Sequence, residues 1–478
     1  MGAGAYTKPR AWTLLAGISI VYLAGVAGSA AAEPRDNSAE GDDLKATVEA
    51  LQERNRLLEK RLSDLESKVD QSPEAPAARQ AEIRGLIDQA LAENKDRLAP
   101  SWLKDLKFSG DLRLRYATAR RSSSGSPNDS RARFRLRFGF EKAWPEEDLI
   151  VGFRLASGAD EDPTSTNQTM ENMFAKKPIW IDRAWARWAP KQVKGLSVTA
   201  GKMQNPFISS DILWDNNVSP EGAWAEYRYP GLGPFEPFVG AGVFQLGFRA
   251  SGPNGVPTAS EPVLDAYDAG FRWNVTKDVK WTSGATFYNW SNVDQEFLRY
   301  GFFNARARGN TVTGGQFSAQ SVEQVNFTNV VDFRVYNVPV SVYGDWVRNM
   351  DASRLPDTQI RDTSRKGFVR LIDGPDTRKE AWALGFRVGE NKRKGDWSFR
   401  YKYAYIQSDA VVGYFADADF GFANRKGNVY GVQYNITDYL TAGFDLYYTG
   451  PIFVPTIRNN TPNFEHQFSG NFDLVWKF

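Results

Sequence analysis

Between residues 107 and 478, apolar and polar side chains alternate along the chain. The clearest segment, residues 131–141, places alanine, leucine and phenylalanine at even positions and mostly charged side chains at odd positions, namely Arg131, Arg133, Arg135, Arg137 and Glu141. A period of two is that of a β-strand, because successive side chains point to opposite faces. A soluble sandwich would not bury a row of arginines, so the pattern predicts strands that face lipid on one side and water on the other.

The connections between the predicted strands alternate in length. Eight long stretches and seven tight turns separate the alternating segments. Membrane barrels have short turns at the periplasmic end and longer extracellular loops, so this order predicts about sixteen strands with both ends in the periplasm. The predicted fold is therefore all-β, an antiparallel transmembrane barrel over residues 107–478. Its poorest segment is 179–189, where Trp180, Trp185 and Trp188 fall on mixed faces.

Residues 1–32 have the pattern of an export signal. Lys8 and Arg10 precede an apolar run from Ala11 to Ala27, and the small residues at 30–32 offer a cleavage site. A single membrane-anchoring helix is the alternative, although the apolar core is short for spanning. Beyond this region the sequence contains no run that approaches 18 apolar residues.

A heptad repeat follows the polar linker at residues 33–43. Leucine recurs at the d positions, and the a positions are Val48, Asn55, Leu62 and Val69. This spacing predicts a coiled coil over 44–70, in which a buried amide at Asn55 would fix the register. One solvated helix lying on the barrel is the alternative. A Pro-rich linker at 71–78 and a periplasmic helix at 79–98 complete the predicted α-helical stalk.

Composition narrows the function classes. Aromatic residues make up 14% of the chain, yet the mean hydropathy is −0.48, a combination typical of a membrane barrel. The chain has no cysteine, which excludes disulfides, thiolate metal sites and cysteine nucleophiles. With 59 basic and 57 acidic residues, the net charge of +2 gives no reason to expect nucleic acid as a partner. Neither a cofactor nor a metal site is predicted.

Three neighbouring motifs carry a family resemblance. The stretch 200–207 reads AGKMQNPF, residues 211–215 read DILWD, and residues 219–222 read SPEG. Together with the signal, stalk and barrel, this series resembles the bacterial "putative porin" family. It is similar, more distantly, to phosphate-selective porins of the sixteen-stranded trimeric type, which also carry an N-terminal coiled coil. The resemblance implies a homo-oligomer, with a trimer favoured, in the outer membrane and a stalk in the periplasm. The last strand ends at Phe478 and looks like the signal that the outer-membrane barrel assembly machinery reads.

The resemblance also indicates where the pore narrows. The connection 203–221 follows the fifth predicted strand, where sixteen-stranded porins fold a loop inwards, and it carries Asp211 and Asp215. Arginines on the first three strands would line the pore, namely Arg113, Arg115, Arg131, Arg133, Arg135, Arg137 and Arg154. Because guanidinium stays charged and offers paired donors, we predict passive diffusion of small hydrophilic solutes with an anion preference. Neutralisation by loop and strand acids, giving a weakly selective pore, is the alternative.

Two other functions compete with a pore. Outer-membrane phospholipases use a lipid-facing histidine with a serine nucleophile, and His466 is the one histidine of the chain. No partner set for it can be assigned, so the chain is predicted not to be an enzyme. A structural barrel that tethers the envelope, with the stalk gripping peptidoglycan, could coexist with transport. Either way the expected partners include outer-membrane lipid.

Overall fold

The computed structural model describes Arg56 and residues 105–121, 129–159, 162–247, 261–292, 308–313, 316–317, 322–351, 358–362, 367–371, 378–453 and 466–478. The predicted signal peptide (1–32), linker (33–43), coiled coil (44–70) with Asn55, Pro-rich linker (71–78) and helix (79–98) lie outside the described residues, apart from Arg56. They stay predictions. In the described part of the chain, no helix is both long and apolar enough to cross a membrane.

Sixteen long strands form a closed barrel. They are β1 (Leu106–Arg121), β2 (Asp129–Trp144), β3 (Leu149–Ser157), β4 (Ile179–Trp188), β5 (Leu196–Lys202), β6 (Glu221–Arg228), β7 (Phe235–Gln245), β8 (Val263–Asn274), β9 (Val279–Ser291), β10 (Val322–Val335), β11 (Val338–Asn349), β12 (Glu380–Gly389), β13 (Trp397–Ile406), β14 (Arg425–Asn435), β15 (Leu440–Pro451) and β16 (Gln467–Lys477). Each strand pairs antiparallel with the next, and β1 also pairs antiparallel with β16, which closes the sheet. The predicted antiparallel barrel of about sixteen strands is confirmed.

The mixed faces of the fourth strand have a local cause. Arg154 pairs with Arg183, but Leu155 pairs with Ile181, so Asp182 is an extra residue in β4. Such a β-bulge shifts the alternation by one residue. Trp185 therefore lies opposite Gly152, and Trp180 opposite Ala156, on the interior face.

Gly110 in the first strand is in close contact with Phe478, the residue that follows the last strand. The amide of Gly110 donates to the carbonyl oxygen of Phe478 at 2.8 Å, and the amide of Phe478 donates back at 3.1 Å. A Cβ at position 110 would lie 2.4 Å from Cε2 of the Phe478 ring, so only glycine fits under that ring. The last residue thereby extends the β1–β16 pairing that closes the barrel.

The outer face carries large apolar side chains. Tyr116, Phe138, Leu384 and Phe472 are exposed on different strands. Near the short turns the exposed rings are mostly tryptophan and tyrosine, namely Trp144, Trp188, Tyr229, Trp273, Trp397 and Tyr439. Rings of this kind collect at the level where lipid meets water. The outer surface therefore has the apolar band and the girdle expected of a barrel in a membrane.

Away from the arginines of β1 to β3, the interior wall mixes polar residues such as Asn326, Asp345 and Lys402 with apolar ones. From β6 to β14 it includes small or apolar residues that are fully buried, among them Leu264, Ala266, Tyr288, Trp290, Ala381, Ala383, Ala404 and Ile406. Two connections fold inwards and cover this wall. They are residues 203–220, which we call loop A, and residues 407–424, which we call loop B. Small side chains such as Ala381 and Ala383 leave the volume that the loops occupy.

Short strands in the long connections were not predicted. Gln168–Thr169 pairs with β2, while Thr311–Thr313, Gln316–Phe317, Thr358–Asp362 and Gly367–Leu371 form a separate four-stranded sheet. The separate sheet joins the connection after β9 to the one after β11. Sequence alternation over two to five residues is too short to separate such strands from loop.

Candidate functional site

All seven predicted arginines lie at interior positions of β1, β2 and β3. The register places Arg113 opposite Arg135 and Arg115 opposite Arg133. Like charges directly opposite each other destabilise a strand pair unless acids separate them. The sequence supplies those acids at neighbouring interior positions.

Asp111 and Asp473 accept hydrogen bonds from three of the seven arginines, and we call the seven together the arginine wall. Nε of Arg137 donates to Asp111 at 2.6 Å, and Arg135 donates to the same carboxylate. Arg115 binds Asp473 through Nε at 2.7 Å and Nη2 at 2.8 Å, a paired arrangement that gives the strongest guanidinium–carboxylate contact. At the bulge in β4, Nε of Arg154 contacts the carboxylate of Asp182. Arg131, nearer the long connections, is exposed and pairs with Asp129 at 3.2 Å.

Arg113 and Arg133 are less completely satisfied. Nη2 of Arg113 donates to Asn167 at 2.5 Å, and its Nη1 lies 3.8 Å from the carboxylate of Asp473. Nη2 of Arg133 donates to Ser165 at 3.3 Å. In the described part of the chain, the buried Nε atoms of both arginines lack a hydrogen-bond acceptor. Because their hydrogen-bond partners Asn167 and Ser165 are neutral, the charge of these two arginines is the least balanced and best placed to attract a further anion.

Asp211, the first of the two predicted acids of loop A, holds this loop against strand β13. Asp211 accepts a hydrogen bond from Nζ of Lys402 at 2.6 Å. Asp215 instead stabilises its own turn, because its Oδ1 accepts from the backbone N and from Nδ2 of Asn217, both at 2.8 Å. Its Oδ2 faces loop B and lies 3.4 Å from the amide of Ala418. One acid thus anchors the loop, and the other shapes it.

Loop B supplies two further acids that sequence reasoning missed. Asp417 lies 3.4 Å from Nζ of Lys402 and caps the amides of Asp419 and Phe420. Asp419 accepts a hydrogen bond from Nη1 of Arg115 at 2.8 Å. The signal for an inward loop was the apolar stretch 410–416, AVVGYFA, which is unusual for a loop exposed to water.

The two loops are joined as one unit. The amide of Asp215 donates to the carbonyl oxygen of Phe415 at 2.7 Å, and the amide of Asp417 donates to that of Asp211 at 3.0 Å. The ring of Trp214 packs against both Trp290 and Phe415, with ring centroids 5.5 and 5.3 Å apart. Backbone pairing and aromatic packing together fix the loop acids opposite the arginine wall.

Burial raises the pKa of each loop acid, and nearby cations reverse that shift for two of them. Burial raises the pKa of Asp417 to about 6, with Lys402 opposing and Asp211 adding repulsion. Burial, together with repulsion from Asp417, also raises the pKa of Asp215 well above its usual range. For Asp211 and Asp419 burial is outweighed by Lys402 and Arg115 respectively, so both pKa values are lowered. The loop face therefore carries both firmly ionised carboxylates and carboxyls that hold their protons more tightly.

Two cavities meet at this arrangement. One, of about 440 Å³, extends toward the long connections and includes Arg131 and Arg133 in its wall. The other, of about 370 Å³, extends toward the short turns and includes Arg135, Arg137 and Lys477. Both are lined by the same five residues, Arg113, Arg115, Asp215, Asn217 and Asp419. We call these five residues the constriction and the first cavity the vestibule.

Within the described residues, no group of three or more histidine or acidic side chains could hold a metal ion. The ring of His466 stacks on Tyr448, an exposed residue of the outer face, at 5.9 Å and 15°. His466 therefore lies against the outer face of the barrel.

The chain is similar to one protein family and to several solved structures. A family model described as "Putative porin" matches residues 121–313 and 310–465. Among solved structures, Pseudomonas putida OprB is 12% identical with a TM-score of 0.48, over 78% of this chain and 94% of that one. Salmonella typhi OmpF, in a complex with daunomycin, is 10% identical with a TM-score of 0.43, over 78% and 97%. A variant of Rhodopseudomonas blastica porin is 10% identical with a TM-score of 0.39, over 78% and 100%. No curated protein sequence matches the chain.

Proposed function

Because the chain belongs to the "Putative porin" family, we propose that it is an outer-membrane porin through which small hydrophilic solutes diffuse passively, with a preference for anions. The constriction is the observation that carries this proposal. Two cavities reach it from opposite ends of the barrel, and its walls are guanidinium groups on one side and loop carboxylates on the other.

The charges of the constriction support the anion preference. Asp111, Asp473 and Asp419 are each bound by an arginine, so their negative charge is already balanced and attracts a passing cation less. Arg113 and Arg133 line the vestibule, and in the described residues neither donates a hydrogen bond to a carboxylate, so their guanidinium donors are left to attract a passing anion. A confined row of such donors raises the local concentration of anions and gives weak sites between which they move.

The chain ends support an orientation. Phe478 lies at the short-turn end, the end that faces the periplasm in barrels of this kind. The long connections, including the vestibule they enclose, then face outwards. Phe478 would serve as the signal for the barrel assembly machinery, and the outer apolar face would bind outer-membrane lipid.

The sequence of residues 33–98 supports the proposal that the protein forms a homo-oligomer. Their heptad repeat favours a homo-oligomer, with a trimer as the state implied by the porin resemblance. A stalk on the periplasmic side could also contact peptidoglycan and tether the envelope. Deleting residues 33–98 separates the roles: intact conductance with a detached envelope favours the tether, whereas loss of oligomers favours assembly.

Planar-bilayer electrophysiology tests the proposed function. The purified full-length protein should form open channels, and the reversal potential in a potassium chloride gradient should have the sign of chloride preference. Repeating the measurement with potassium acetate tests whether the preference extends to carboxylates. A reversal potential with the sign of cation preference would refute the anion proposal, and absence of channels would refute the porin proposal itself.

A further inference from the structure

A third cavity opens beside the vestibule and differs from it in character. Its volume is about 650 Å³, within the range of sites that hold small organic ligands. It lies at the long-loop end, between the ends of β3, β4 and β7 and the inward loops. We call it the apolar chamber. It includes Trp180, Leu246 and Phe415 in its wall, which is backed by the buried Trp214 and Phe244.

Trp180 is the distinctive residue of this wall. The bulge at Asp182 brings it to the interior face, and its indole N–H donates to the carbonyl oxygen of Gly158 at 2.9 Å. This hydrogen bond fixes the ring while 40% of the residue stays exposed. Apolar surface facing water costs free energy in proportion to its area. A channel that passed only hydrophilic solutes would gain nothing from a fixed indole at this place.

The acidic side chains that line the apolar chamber do not oppose an anion. Asp182 is bound by Arg154, Glu221 by Lys202 at 2.6 Å, and Asp162 lies 3.3 Å from Arg308. Each of the three carboxylates lining the chamber in the described part of the chain is therefore paired.

The apolar chamber adjoins the donors of the vestibule. Asp162, Ser165 and Asn217 line both cavities. Ser165 also accepts the hydrogen bond from Arg133, so this guanidinium is one side chain away from the chamber. A ligand with an apolar end in the chamber could thus place a charged end at the arginines.

We propose that the apolar chamber and Arg133 together form a binding site for a small aromatic carboxylate. The ring packs against Trp180, as aromatic rings do in offset or edge-to-face contact, and the carboxylate receives paired hydrogen bonds from guanidinium. The proposal rests on the anion-conducting function proposed above and names a solute class for it. Binding here would concentrate such solutes at the outer mouth of the constriction.

Block of the ion current by phenylacetate, with acetate as the comparison lacking a ring, tests this site. Phenylacetate is added on the long-loop side of bilayers that contain the full-length protein, at constant ionic strength. We expect half-block at a concentration about tenfold or more below that of acetate, because only phenylacetate buries a ring. Equal half-blocking concentrations for the two anions would overturn the proposal.

Matched variants locate the site. Trp180→Ala should raise the half-blocking concentration of phenylacetate about fivefold or more, whereas Trp188→Ala, on the outer face of the same strand, should leave it unchanged. Arg133→Gln should weaken block, whereas Arg187→Gln, near the short turn, should not. An unchanged half-blocking concentration in Trp180→Ala would overturn the proposal that phenylacetate binds in the apolar chamber. If Trp180→Ala does not fold, judged by the mobility of unheated samples in gel electrophoresis, Leu246→Ser takes its place with the same expected result.

The reversal potential without phenylacetate, measured in the same bilayers, separates the two proposals. Chloride preference without block by phenylacetate refutes the proposed binding site in the apolar chamber but is consistent with the proposed anion-preferring porin. Cation preference refutes the anion function on which the chamber rests.

Discussion

Replacing Lys402 by methionine should release the inward loops without unfolding the barrel. The ammonium group is buried and lies 2.6 Å from Asp211 in loop A and 3.4 Å from Asp417 in loop B. Methionine keeps most of the side-chain volume but removes the charge, which leaves two buried carboxylates without their cation. Breaking a buried ion pair in this way costs roughly 3–5 kcal/mol.

This free-energy cost destabilises the conformation in which loops A and B are packed against the interior wall, which we call the seated conformation. At 1.4 kcal/mol per factor of ten, it lowers the ratio of seated to unseated loops by about 100- to 5,000-fold. The backbone pairing of the sixteen strands does not involve these groups, so the barrel itself should persist. A wild-type channel with a steady current should become one that fluctuates between levels.

Single-channel recording is the assay. Lys402→Met should show frequent transitions, while Lys426→Met, an exposed lysine on the next strand, should behave as wild type. Adding Asp211→Asn and Asp417→Asn to Lys402→Met should restore a steadier current, because the unpaired charges are then gone. If this triple variant fluctuates as much as Lys402→Met alone, the reasoning from buried charge is wrong.

Three further predictions follow from named contacts. Because burial raises the pKa of Asp417 to about 6, lowering the pH from 8 to 5 should neutralise it and increase the chloride preference; an equal increase in Asp417→Asn would contradict this. Gly110→Val should place a side chain where the Phe478 ring lies and lower the temperature at which the barrel loses its unheated gel mobility; an unchanged temperature would show that the ring moves aside freely. Asn310→Ala should remove three hydrogen bonds to loop B, at about 1 kcal/mol each, and expose loop B to protease in the folded barrel; protection equal to wild type would refute its anchoring role.

The sequence was sufficient for the barrel because its signal is local. Alternation depends on neighbouring residues, and lipid imposes the same outer face on every strand. The poor alternation of 179–189 had a physical cause, since the extra residue Asp182 reverses the faces within one strand. A prediction from the period of two assumes an uninterrupted strand. It therefore cannot assign the correct inner and outer faces to the residues on both sides of Asp182.

The constriction was only partly predictable, because its contacts join distant parts of the chain. Arg115 meets Asp473 because β1 and β16 close the barrel, and it meets Asp419 because loop B turns inwards. Neither pairing has a sequence signature. The strands were predicted to face water on their inner side, whereas part of the wall from β6 to β14 is apolar and covered by loops; residues 410–416 carried that information, since their apolar side chains need a buried surface.

The most direct test of the account is the reversal potential of the Arg113→Gln/Arg133→Gln double variant in a potassium chloride gradient, compared with wild type. Both arginines line the vestibule, and in the described residues neither donates a hydrogen bond to a carboxylate. The account predicts that the double variant keeps its conductance but shifts toward cation preference, with Arg187→Gln unchanged. A double variant with the wild-type reversal potential would contradict the claim that the arginine wall selects the ion.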